Sequence, residues 1–268
     1  MKPKRLFKKI IKDIKSIKIQ GAKNVAKAGF IAYKLIPTKR TKNKILSLRS
    51  TEPMLENVLK LADKISYRQL LKRIDDNQEI INKNIYKLIK NNSVVFTHCH
   101  SSSVINALIY AKKKGKKFEV YNTETRPLYQ GRITVKELKK AKIKITMFVD
   151  DAAKIALTGS QKTRDVDIVF FGADAITKKG SFNKVGSGMF AQIAKANKIP
   201  VYIVADSLKY TSRPIEIEQR NKDEVWHTFL KIKIRNPSFE LIERKHIKGI
   251  ISELGTLSYG DFIRKVRH

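Results

Sequence analysis

The sequence predicts an α/β protein: a helical N-terminal domain over residues 1–90, then a doubly wound, mostly parallel sheet domain over 91–268. Two observations carry this. Up to residue 90, apolar residues recur at helical spacing with lysines filling the gaps. Beyond it, short β-rich runs alternate with helical stretches, the pattern of a parallel sheet with helices on its faces.

In order, residues 2–18 read as an amphipathic helix, with Leu6, Ile10, Ile14 and Ile17 on one face. Gln20-Gly21-Ala22-Lys23-Asn24 interrupts it. A second helix follows to about Leu35, and Ile36-Pro37-Thr38 stops it. Residues 46–53 read as a loop, with a helix opening near Pro53. Residues 67–90 form a longer helix whose apolar positions are Leu70, Leu71, Ile74, Ile80, Ile81, Ile85 and Leu88. The β-rich runs are 94–97, 118–121, 145–149, 166–171 and 201–204, with helices near 103–114, 134–141, 151–158 and 187–198. This alternation makes the second domain Rossmann-like.

With 268 residues, of which 42% are hydrophobic, the chain can bury a sizeable core. No apolar run approaches the ~20 residues that span a bilayer, so no membrane role is expected. No apolar core with a small-residue cleavage site marks a secretory leader, and the expected location is the cytoplasm. The net charge is +33. Its lysines are spread over the whole length, whereas a nucleic-acid-binding arm would concentrate them. The charge therefore reads as general composition, and its field favours anionic small molecules such as phosphorylated metabolites.

Ligands of doubly wound sheets bind outside the carboxyl ends of the strands. Five consecutive runs end in polar or ionisable groups: His98-Cys99-His100-Ser101, Thr123-Glu124-Thr125-Arg126, Asp150-Asp151, Gly172-Ala173-Asp174 and Asp206-Ser207. Five such ends on one rim point to a site. Cys99 is the only cysteine, which excludes an intrachain disulfide and any multi-cysteine metal cluster. It sits between a strand and a helix start, which suits a reactive thiolate or a phosphate site. In an extended turn His98 and His100 share one side and Cys99 the other, so the three do not suit one metal ion. Neighbouring imidazoles are expected to help depress the thiol pKa.

Asp174 follows the apolar run 168–173. Partial desolvation there suits a general acid, and capping or pairing with a lysine suits the position too. Asp151 reads as the cap of the helix that follows it, with Asp150 left open. Ser101, Ser102 and Ser103 fit a phosphate cradle or a simple N-cap. Asn183-Lys184-Val185-Gly186-Ser187-Gly188 precedes a helix and fits a phosphate or an ordinary glycine-rich helix start.

Four motifs in order resemble a known family: Thr97-His98-Cys99, Thr123-Glu124-Thr125-Arg126-Pro127-Leu128-Tyr129-Gln130-Gly131, Gly172-Ala173-Asp174-Ala175-Ile176 and Asn183-Lys184-Val185-Gly186. It is the family shared by translation initiation factor 2B alpha/beta/delta subunits, methylthioribose-1-phosphate isomerase and archaeal ribose-1,5-bisphosphate isomerase. The resemblance runs from about residue 14 to 254. The enzymes carry a catalytic cysteine and aspartate that the translation subunits commonly lack, and Cys99 and Asp174 match that pair. The wording around 124–127, 216–218 and 235–240 is most similar to the ribose-1,5-bisphosphate branch.

The resemblance implies an aldose–ketose isomerase of nucleotide (AMP) salvage that needs no cofactor. Asp174 would protonate the sugar ring oxygen and Cys99 would take the C2 proton. Substrate-binding positions carry over to Gln20, Gly21, Ala22, Lys23, Arg49, Ser101, Ser102, Ser103, Asn183, Lys184 and Lys209. The resemblance also implies a phosphorylated sugar substrate and a homo-oligomer built on dimers, with a nucleotide effector left open. Two departures stand out. Gln20 replaces the family's usual arginine, and His100 stands where asparagine is usual. The helical N-terminal part is also shorter than in typical members.

Overall fold

A computed structural model of the chain describes residues 2–49 and 51–267. Met1 and His268, the ends of the two expected domains, and Ser50, within the expected 46–53 loop, lie outside the described residues. The chain divides into two compact units. The first holds residues up to Asp76 together with Asp174–Thr177 and Leu208–Glu216, and the second holds the remainder.

The first unit contains α1 (Pro3–Lys15), α2 (Ala22–Leu35), α3 (Lys39–Leu46), α4 (Pro53–Leu61) and the start of α5 (Tyr67–Leu88). Phe7, Ile10 and Ile14 form the buried stripe of α1. The helix ends before Ile17, which takes a positive φ of 60° in the turn beyond it and is only half-buried. The apolar period thus runs one step past the helix. Phe30 of α2, Ile45 of α3, Met54, Leu55 and Leu59 of α4, and Leu70 and Ile74 of α5 close the core. Helix α3 is new relative to the sequence reading. It buries only Thr41 and Ile45, too little for a periodic signal. It starts at Thr38, whose hydroxyl accepts from the Thr41 N–H at 3.1 Å.

The boundary between the units falls inside α5. Buried residues follow its length at Leu70, Ile74, Gln78, Ile81, Ile85 and, just past its end, Ile89. Steps of three and four keep these on one face. Ile80, expected on that face, is 41% exposed because it precedes Ile81 by about 100° of helix rotation.

The second unit is built on one sheet. Its strands are β1 (Ser93–Thr97), β2 (Phe118–Thr123), β3 (Lys144–Phe148), β4 (Ile168–Phe171), β7 (Val201–Val204), β9 (Gly249–Ser252) and β10 (Gly255–Leu257). The spatial order is β10-β9-β7-β4-β1-β2-β3, parallel throughout except at β10. The helices are α6 (Ser102–Lys113), α7 (Gln130–Lys140), α8 (Ala153–Leu157), α9 (Ser187–Ala196) and α10 (Tyr259–Lys265). All five expected strands form. The chain builds β1, β2 and β3 outward, then returns to lay β4 on the other side of β1. That reversal puts the topological switch point at the carboxyl ends of β1 and β4.

Every residue of β1, β2 and β4 is buried, as expected for central parallel strands, whereas the edge strand β3 is partly exposed. The Phe96 ring meets Phe171 and Phe190 at 6.2 and 5.2 Å between centroids. The sequence reading missed the antiparallel pair of β6 (Gly180–Lys184) and β8 (Phe239–Glu243), as well as β9, β10 and α10. Strand β8 carries Glu240 and Glu243, and no α-helix separates β8, β9 and β10, so the alternating grammar does not reach them. The short strand β5 (Ala175–Ile176) belongs to the first unit, where Ile176 bridges Tyr210.

Candidate active site

Cys99 stands two residues beyond β1 in a left-handed turn, with φ 68°, and is half-buried. A non-glycine residue holds such a φ only where its surroundings fix it. Here two threonines do so. The Cys99 N–H donates to the Thr125 hydroxyl at 3.0 Å, and the Thr134 hydroxyl donates to the Cys99 carbonyl at 2.8 Å. Both threonines are fully buried. The turn carrying Thr125 is itself anchored by Asp150, whose carboxylate accepts from the Thr125 N–H at 2.9 Å and the Arg126 N–H at 2.7 Å. That settles the role left open for Asp150. Asp151 is exposed, and α8 begins without a side-chain cap, so the capping role expected of Asp151 is not taken up.

The two imidazoles beside Cys99 are neutral. His98 is buried against Phe190, and burial pushes its pKa down to about 4. Its Nε2 lies 2.9 Å from the Val185 carbonyl, an acceptor, so Nε2 carries the proton and Nδ1 accepts from the Thr123 hydroxyl at 2.5 Å. Burial also lowers the His100 pKa. Its Nδ1 lies 3.1 Å from the Thr134 hydroxyl, whose own proton goes to the Cys99 carbonyl, so His100 Nδ1 donates. Neither ring brings a positive charge to the thiol, contrary to the sequence expectation. Their work is to tie the turn to β2, α7 and the start of α9.

Ser101 is the N-cap of α6, yet its side chain makes no capping bond, and none caps the start of the helix. The first N–H groups of α6, at Ser102 and Ser103, therefore point out of the helix as an anion site requires. Gly172, after β4, presses on Ser101: a Cβ at Gly172 would lie 2.6 Å from Ser101 Oγ and 3.8 Å from Asn183 Oδ1. Ser101, Gly172 and Asn183 thus meet at the switch point. Asn183 Nδ2 donates to the Ser187 hydroxyl at 2.8 Å, which donates to the Lys184 carbonyl at 2.7 Å. Lys184 Nζ sits 5.3 Å from the centre of the Phe239 ring, and its charge helps depress the His98 pKa. The start of α9 is less open to an anion than that of α6. The Gly188 N–H is taken by the Glu240 carboxylate at 2.5 Å.

The remaining expected residues belong to the first unit. Gly21, with φ 80°, opens α2, whose start also has no side-chain cap. Gln20 is exposed there and Lys23 half-buried. Arg49, Asp174 and Lys209 gather with a residue the sequence reading overlooked, Glu52. Glu52 Oε1 accepts from Arg49 Nη2 at 2.5 Å, and their side chains are 1% and 9% exposed. Burial pushes the Glu52 carboxyl up to about 7; Arg49 opposes the rise, Asp174 adds to it and Lys209 opposes it. Arg49 and Glu52 also line a cavity of about 150 Å³, with Glu56, Thr211 and Arg213 on its wall. In sequence, Glu52 looks like an ordinary acid ahead of a Pro-led helix; only its burial singles it out. Along the chain, Asp174 stands three residues beyond β4 and Cys99 two beyond β1.

The chain is similar to several known proteins. A ribose 1,5-bisphosphate isomerase of Methanocaldococcus jannaschii is 32% identical, over 94% of this chain and 91% of the relative. One of Archaeoglobus fulgidus is 34% identical over 78% of this chain and 66% of its own length. Among solved structures, the translation initiation factor eIF-2B of Pyrococcus horikoshii superposes with a TM-score of 0.81. That pair is 24% identical and the match covers 94% of this chain and 96% of the other, a likeness of fold. Residues 37–259 match the Initiation factor 2 subunit family, and the chain belongs to that family.

Proposed function

We propose that the protein is a ribose 1,5-bisphosphate isomerase, forming ribulose 1,5-bisphosphate in AMP salvage. The observation that carries the reading is the fixed cysteine turn at the switch point, next to an uncapped helix start, in a chain collinear with relatives of that name. In this reading Asp174 gives a proton to the ring oxygen as the bond from C1 to that oxygen breaks. The Cys99 thiolate takes the proton from C2, and the C–H electron pair becomes the C1–C2 double bond. The thiol then returns a proton to C1 while the C2 hydroxyl proton goes back to Asp174. A C2 carbonyl results and both groups regain their starting states.

Residues 91–268 form the catalytic domain in this assignment, and residues 1–90 contribute Gln20, Gly21, Ala22, Lys23 and Arg49 to the substrate. Ser101, Ser102, Ser103, Asn183, Lys184 and Lys209 complete the anion contacts. Cations and open helix N–H groups suit a substrate with two phosphates. Methylthioribose-1-phosphate isomerase is the second reading, since one from Geotalea uraniireducens is 33% identical over 75% of this chain. That substrate has one phosphate and an apolar thioether. We also assign a cytoplasmic homo-oligomer; the exposed Trp226, Phe229 and Leu230 fit such assembly. Among the described residues no helix is long and apolar enough to cross a membrane.

The test is a product assay with both sugar phosphates, run on the wild type, Cys99→Ser and Asp174→Asn. Ribulose 1,5-bisphosphate from the wild type, with kcat reduced by about 10²–10⁴ in each variant and melting unchanged, is expected. No turnover of either sugar by the wild type overturns the enzyme reading.

A further inference from the structure

Glu52 has a role in neither family motif nor helix capping, yet it is among the most buried charged side chains in the molecule. Its helix begins without a side-chain cap, so the carboxyl does not serve the N-terminus of α4. One oxygen binds Arg49, and the other, Oε2, is buried with no hydrogen-bond partner among the described residues. An ionised carboxylate oxygen left bare in this way is costly, whereas a protonated one is much less so. The charged groups that act on it are Arg49 from the preceding loop, Lys209 from the turn at 207–209, and Asp174. Glu56, one turn along α4, is engaged elsewhere, with Lys60 and Arg213 at 2.8 Å each. The arrangement is two acids between two bases, one acid being the proposed proton donor.

We propose that Glu52 is a positioning residue for Asp174: the two carboxyls, set between Arg49 and Lys209, share one proton, and Glu52 keeps it available to the acid. The proposal rests on the isomerase reading of Asp174. Two nearby carboxyls do not both ionise easily, so the singly protonated pair persists to higher pH than a lone aspartic acid. Beside two cations, a lone Asp174 would be ionised at neutral pH and could not protonate a ring oxygen. When Asp174 gives up the shared proton, both carboxyls are ionised between Arg49 and Lys209. The C2 hydroxyl proton later restores the starting count.

The test combines a pH profile with a substrate-free titration. In Glu52→Gln the amide oxygen still accepts from Arg49, but the shared proton is gone. The alkaline limb of kcat is expected to move down by about one pH unit or more, a tenfold loss above it, with KM close to wild type. Glu52→Asp should recover part of that limb. A folded Glu52→Gln enzyme whose limb does not move, or that changes only in KM, overturns the proposal, because a mere anchor of Arg49 behaves that way. Carbon-13 NMR of the side-chain carboxyls reads the same coupling without substrate. Glu52 should titrate near neutrality in the wild type and lower in Asp174→Asn. A Glu52 titration indifferent to Asp174→Asn overturns the pair even where turnover is intact. Coupled titrations in a protein that turns over no sugar overturn the isomerase reading alone.

Discussion

Gly172→Ala tests the switch point more sharply than any deletion of a reactive group. The new methyl would fall 2.6 Å from Ser101 Oγ and 2.7 Å from Ser101 Cβ, where ordinary contact begins at 3.4 Å. The segment after β4 and the N-cap of α6 must therefore separate by about 0.7 Å, since Ser101 Cβ belongs to no flexible chain end. Overpacking of this kind costs about 2 kcal/mol, which for a chain of this length lowers Tm by roughly 4–8 °C. Displacing Ser101 also tilts the Ser102 and Ser103 N–H groups proposed to hold a phosphate, so KM for the sugar bisphosphate should rise more than kcat falls. A melting curve and steady-state kinetics read both. The double variant Gly172→Ala/Ser101→Gly removes both crowded atoms, and glycine is tolerated as an N-cap. It should regain most of the lost stability, a coupling of about 1–2 kcal/mol. If Gly172→Ala melts like the wild type, or the two changes simply add, the close approach of β4 to α6 is not what shapes this site.

Two further outcomes follow from other parts of the second unit. Glu240→Ala strips the anion from the start of α9 and should cost about 0.5–2 kcal/mol in urea unfolding, while freeing the Gly188 N–H for an anion; an unchanged midpoint would refute the cap. His98 favours the neutral form in the folded state, with a pKa of about 4 against 6.5 for the free side chain. The unfolded chain therefore takes up the proton first. Stability held above pH 6.5 is lost as pH falls toward 4, by about 2 kcal/mol at pH 5. His98→Gln should flatten that slope, and an equal slope in both proteins would assign the acid sensitivity elsewhere.

The order of strands and helices was legible because a buried parallel strand and an amphipathic helix each leave a period in the sequence. The residues at the strand ends were legible for the same reason, since a doubly wound sheet makes its carboxyl rim the only place to look. What escaped notice depends on burial that no period announces. Glu52 reads as a surface acid beside Pro53, and α3, with two buried residues, reads as linker. The roles of Thr123, Thr125 and Thr134 needed the turn geometry, since a threonine on a strand looks like any β-former. The expected help from the imidazoles failed for a related reason. Their spacing is visible in sequence, but their desolvation is not.

With both imidazoles neutral, any negative charge at Cys99 must be favoured by something else. Two features of the second unit can do so. One is the uncapped start of α6, three residues along the chain, whose aligned peptide dipoles carry partial positive charge. The other is Lys184, whose ammonium adds a small positive influence at His98, next in sequence to Cys99. Both also suit a phosphate, so in the proposed mechanism thiolate and substrate anion would draw on one source of positive charge. A bound phosphate would compete with the thiolate for the α6 dipole rather than add to it. In the proposed mechanism the threonine clamp would hold the Cys99 backbone in place while that charge is divided between sulfur and substrate.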